Sequence, residues 1–182
     1  MLKKYHIVII LTMLLTSCSF ETQQFNLNYE ELHHSPPQTQ ESIDKAIKLF
    51  RIQVPQRANW PKLNKDMAER GMTTYYGLNK KLLVEIGPAA FESWALLGST
   101  LGHELEVHCK QSFILINIKD RLGLDGTLDA ERDAYQHELD DAERFGLSIE
   151  EQRQIKMTMD FYYPVRNYSN KFIIYFKPIQ QN

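Results

Sequence analysis

The chain has 182 residues, 43% hydrophobic, 24% charged and 11% aromatic, a globular balance that excludes disordered, collagen-like and repetitive classes. Its 21 Lys+Arg against 23 Asp+Glu give a net charge of -2, which leaves no basic footprint for a nucleic-acid partner. The 2 cysteines exclude a disulfide-rich scaffold.

The N-terminal residues read as an address. Lys3 and Lys4 precede an apolar stretch from Ile7 to Leu15, interrupted by Thr12. A membrane-spanning helix needs about 20 apolar residues, so this stretch fits a signal peptide over residues 1–17 instead. Leu15-Thr16-Ser17-Cys18 then resembles a bacterial lipobox. The resemblance implies cleavage before Cys18 and lipid on its thiol and new amine, hence a membrane partner in the cell envelope. Ser19 stands where Asp would signal inner-membrane retention, which favours the outer membrane, facing the periplasm. Residues 18–40, rich in Gln, Thr, Asn and Ser and carrying Pro36-Pro37, read as a tether. His33 and His34 inside it read as solvated, with a metal role as the alternative. Cys109 becomes the single thiol of the cleaved chain and reads as core rather than as a nucleophile.

Residues 41–182 are expected to form one domain. Glu41 to Ile52 places Ile43, Ala46, Ile47, Leu49 and Phe50 at helical spacing. Thr73–Tyr76 and Leu82–Ile86 read as a hairpin joined by Gly77-Leu78-Asn79-Lys80, and Gly87-Pro88 ends the second strand. From Phe91 the period becomes helical through Trp94, Gly98, Leu101, Leu105 and His108. Phe113 to Ile118 is nearly all apolar and predicts a buried segment. A straight helix from Phe91 to Lys119 would run about 43 Å at roughly 1.5 Å per residue, so a kink or break is expected. Thr127 is the expected N-cap of a helix that reaches Phe145 and stops at Gly146. Ser148 and Glu151 form a capping box for another helix, closed by Pro164, and Lys171 to Lys177 reads as a last strand. The sum is an α+β domain, helices packed on a short β-hairpin or sheet.

Two segments carry chemistry: His103-Glu104-Leu105-Glu106-Val107-His108, and Glu131-Arg132-Asp133-Ala134 on the next helix. Imidazoles and a carboxylate are the ligands of catalytic zinc, which keeps one position for water. A further carboxylate beside them can take the proton of that water. His103, His108 and Glu131 fit the first role and Glu104 the second. The histidines are five residues apart, however, which puts them about 140° apart on a regular helix, against about 40° for a spacing of four. A π-turn of about 4.4 residues returns the five-residue spacing to roughly 50°.

The spacing resembles the dipeptidyl peptidase III family, which has His-Glu followed by a second His five residues after the first. That resemblance implies zinc on His103 and His108, a third ligand at Glu131 in its Glu-x-x-Ala context, and Glu104 as general base. Val107 stands where the family has Gly. The order of strand, His-Glu helix and Glu-x-x-Ala helix is similar to a minimal gluzincin-type zincin domain. It implies a zinc-dependent peptidase acting on peptide or peptidoglycan. Tyr135 and Glu138 share a face with Glu131 and are candidates, respectively, for donating to a developing oxyanion and for orienting a histidine. His137 and the acidic run Glu138 to Glu143 read as a solvated face. Two other readings stay open: a metal-free Glu104–His108 pair at i,i+4 in a non-catalytic adaptor or inhibitor lipoprotein, and a degenerate zincin that keeps zinc for stability.

Overall fold

A computed structural model describes residues 27–78 and 80–165. Cys18, the signal peptide and Lys171–Lys177 lie outside the described residues.

The segment expected as a tether enters the domain. Asn28 and Glu31 close a capping box on α1, Tyr29–Leu32, and Leu27 and Leu32 pack against the core. His33 places Nε2 3.4 Å from Glu151, and His34 is exposed. Thr39 then caps α2, Gln40–Leu49, which buries Ile43, Ala46 and Ile47. That i, i+3, i+4 spacing is the stripe the sequence shows.

Three strands follow: β1 Lys62–Leu63, β2 Gly71–Thr74 and β3 Leu83–Ile86. Their order is β1-β3-β2, with β1 parallel and β2 antiparallel to β3. Val84 and Ile86 of β3 are fully buried. The expected hairpin is present, but its first strand begins at Gly71 rather than Thr73, so Tyr75 and Tyr76 leave the sheet.

Ser93 caps α3, Trp94–Gly102, all of whose residues are buried. At Gly102 an added Cβ would lie 2.5 Å from the Phe145 ring, so the absent side chain admits that aromatic. The helix continues as a π-helical turn over His103–His108. The expected break falls just after it, and α4, Phe113–Arg121, starts afresh from a Ser112 cap. Helix α4 contradicts the expectation of burial: it has no buried residue, and Ile114, Leu115 and Ile118 are exposed. Its apolar residues spread around most of the helix, so one side packs toward the domain while the other faces outward.

Helix α5, Gly126–Asp140, is N-capped by Asp125 and not by Thr127. Thr127 instead donates from N and Oγ1 to Asp120 at 2.9 and 2.6 Å. The helix breaks at Asp141, and the short α6, Ala142–Phe145, ends at Gly146 with φ 69°. Ser148 and Glu151 form the expected capping box on α7, Ile149–Tyr162. The core gathers Ile43, Ile86, Leu97, Leu101, Leu105 and Phe145, all under 2% exposed. Each such side chain contributes about 1.5–3 kcal/mol by leaving water. Cys109 joins this core, and burial pushes its thiol up to about 11. No helix among the described residues is long and apolar enough to cross a membrane.

Candidate metal centre

The π-turn decides the geometry of the two histidines. Cys109 N–H donates to Glu104 C=O at 2.9 Å, an i to i−5 bond that widens the turn. His103 and His108 therefore share a face, with Nε2 atoms 3.0 Å apart. Glu131 comes from α5, with Oε2 3.6 Å from His103 Nε2 and Oε1 3.5 Å from His108 Nε2. Ligands of a tetrahedral zinc, each at about 2.0–2.1 Å, stand about 3.3–3.4 Å from one another. The Nε2 pair stands slightly inside that value and the Glu131 carboxylate slightly outside it, meeting each histidine through a different oxygen.

The hydrogen bonds behind the rings fix their tautomers. Gln111 Nε2 donates to the Ala130 carbonyl at 3.0 Å. That carbonyl can only accept, so Gln111 Oε1 faces His108 Nδ1, 2.8 Å away, and Nδ1 carries the hydrogen. His103 Nδ1 likewise donates to Glu138 Oε1 at 2.8 Å. Both Nε2 atoms are thus left to turn lone pairs toward each other and toward a carboxylate. Such a point calls for a cation, either a proton or a metal.

The charges say the same. Burial pushes the His103 imidazole down, but the hydrogen bonds to Glu131 and Glu138 and the charges of Glu138 and Glu104 outweigh it, raising it to about 10. Burial pushes Glu131 up, and His103 and His108 bring it down to about 2.

Glu104 stands beside these three side chains, 3% exposed, and accepts from Thr73 Oγ1 at 2.7 Å. A Cβ on Gly71 would lie 2.6 Å from Glu104 Oε1, so β2 approaches this carboxylate only through a glycine. His103, Glu104 and His108 form a buried group that could hold a metal ion. The ring nitrogens of His108 meet Gln111, His103 and Glu131, while the carboxylate of Glu104 is bonded to Thr73; the i,i+4 pair expected without metal is not the contact either side chain makes.

Glu138 does lie behind His103, as its helix position allowed, but the solvated acidic run does not extend to it. It is 0% exposed. Arg70 donates to it twice, at 2.9 and 3.1 Å, and the Ser99 hydroxyl donates as well. Burial pushes Glu138 up, yet Arg70 and His103 hold it at about 2. Tyr135 packs edge-on to His103 with ring centroids 4.8 Å apart, and burial raises its phenol. Tyr135 and His103 line one cleft with Arg70, Thr73, Glu104 and Glu131, a cavity of about 500 Å³.

His137 is half-buried rather than solvated. It meets Glu106 at 3.2 Å, and Asp141 completes a second acidic group with them. The Arg144 guanidinium already occupies that group, 2.7 Å from Glu106 and 2.9 Å from Asp141. Arg70, Thr73, Ser99 and Gln111 were missed by sequence reasoning. Gln111 alone had a local signal, three residues after His108.

Compared with protein-family models, with curated proteins and with solved structures, the chain matches none.

Proposed function

We propose that this chain is a zinc-dependent peptidase of minimal gluzincin type, lipid-anchored at Cys18 in the cell envelope, acting on peptide or peptidoglycan amides. The observation that carries the reading is the convergence of two Nε2 atoms and the Glu131 carboxylate within 3.0–3.6 Å, with Glu104 beside them and bonded elsewhere. Neutral imidazoles with one carboxylate are a zinc donor set that leaves a position open. A zinc held there by His103, His108 and Glu131 would supply Lewis-acid polarisation of a water and of the scissile carbonyl.

The chain's own residues do the rest. Glu104 takes the water proton and returns it to the leaving amine. Thr73 holds the Glu104 carboxylate in line. Glu138 and Gln111 fix the His103 and His108 tautomers so that both Nε2 atoms face inward. Tyr135 supplies a phenol on the same wall of the cleft, suited to donate to the developing oxyanion.

Glu104→Gln tests the reading. The full-length variant should keep its fold and bound zinc while losing about 10²- to 10⁴-fold in peptide hydrolysis. A variant that hydrolyses as fast as wild type would overturn Glu104 as the general base, and a zinc-loaded wild type inert on peptide and peptidoglycan libraries would leave zinc with a structural role only.

A further inference from the structure

We propose that the outer face of α4 docks on an anionic lipid surface. Ile114, Leu115, Ile118 and Leu122 are 47%, 52%, 47% and 68% exposed. At about 100° per residue they fall within one arc of roughly 100°. Arg121 lies just beyond one edge of that arc and Lys119 just beyond the other. Asp120, between them in sequence, points away, toward the backbone N–H and hydroxyl of Thr127. Lys119 reaches Asp129 at 3.2 Å, both side chains about half exposed, a contact that water and salt weaken. The stripe continues onto the hairpin loop, where Leu78 is 80% exposed and lines one groove with Lys80, Arg57 and Ile114.

Apolar side chains on a helix bracketed by cations are the pattern of a helix lying in a membrane interface. The apolar residues enter the acyl boundary and the cations reach the headgroups. Charge decides between possible occupants. The chain as a whole is slightly acidic, so a cationic border on this face selects an anionic partner. A two-fold pairing with a second copy would set the Lys119 and Arg121 borders of one chain against those of the other. The face adjoins the metal cleft, because Phe113 at the start of α4 lines both grooves. The inference does not depend on the metal or on the anchor.

The test uses the full chain with Cys18→Ser, so that no lipid is attached, and Ile118→Cys carrying an environment-sensitive dye. Cys109, at 0% exposure, is shielded from labelling. Phosphatidylcholine vesicles containing phosphatidylglycerol should shift the emission to the blue. Pure phosphatidylcholine, or Lys119→Gln with Arg121→Gln, should weaken partition about tenfold or more. No shift with anionic vesicles would overturn the proposal. So would a shift indifferent to lipid charge and to both cations, or one produced without vesicles by concentrating the protein, which would assign the face to a second copy.

Discussion

Arg70 and Glu138 are 68 residues apart in sequence and meet in a two-pronged ion pair of 2.9 and 3.1 Å, directly behind His103. The pair is closed to water on the carboxylate side, with Glu138 at 0% exposure. A buried carboxylate without its guanidinium costs about 3–5 kcal/mol. Arg70→Ala should therefore lower unfolding stability by about that amount in a denaturant titration. Glu138→Gln removes the charge but keeps the shape, so its effect should fall on metal affinity, about 10- to 100-fold weaker against a competing chelator. Equal metal affinity in wild type and Glu138→Gln would separate this carboxylate from the metal centre.

Gly71 is the next point of leverage. A Cβ there would lie 2.6 Å from Glu104 Oε1 and 2.9 Å from Thr100 Cγ2. Gly71→Ala should push Glu104 away from Thr73, at a stability cost of about 1–3 kcal/mol. The three proposed ligands are left untouched, so the variant should bind zinc and hydrolyse peptide poorly. Full activity in Gly71→Ala would show that the position of Glu104 is not critical.

The acid limb of stability should report Glu106. Burial pushes this carboxyl up, but His137 and Arg144 hold it at about 2, against an ordinary 4.5. A folded-state value below the unfolded one stabilises the fold above about 4.5 and ceases to do so as pH falls toward about 2. Urea midpoints of wild type and Glu106→Gln should differ at neutral pH and converge toward the acid end. A constant gap across that range would show that the ion pair contributes nothing.

Gln111 offers a test of the tautomer argument. Its amide connects His108 Nδ1 to the Ala130 carbonyl at 2.8 and 3.0 Å. Gln111→Leu removes the acceptor that holds hydrogen on Nδ1, and zinc affinity should fall about 10-fold or more while α5 stays folded by circular dichroism. Unchanged affinity would mean that the ring is oriented by packing alone.

What the sequence made legible follows the range of the interactions. Helix α2, the Ser148–Glu151 capping box and the Gly146 stop are specified by residues within a few positions, and each is found. The five-residue histidine spacing demanded a widened turn, and the π-turn over His103–His108 meets the demand. The errors lie where distant partners or burial decide. Glu138 offered itself as an orienter of a histidine, yet the acidic run that contains it read as solvated, because its partner Arg70 stands 68 residues away. Helix α4 read as core because composition reports how apolar a segment is, and not whether the domain has a surface left to cover it. Thr127 read as an N-cap, yet its hydroxyl meets Asp120 across the α4–α5 turn while Asp125 takes the cap.

The central claim is that His103, His108 and Glu131 hold zinc, and elemental analysis of the purified full-length chain tests it most directly. The expected result is about one zinc per chain, reduced to background in His103→Ala and His108→Ala. Because the ligands join the π-turn to α5, stripping the metal should also lower the melting temperature of wild type. A wild-type chain that carries no zinc, takes up none when it is supplied, and melts at the same temperature with and without chelator would contradict the account.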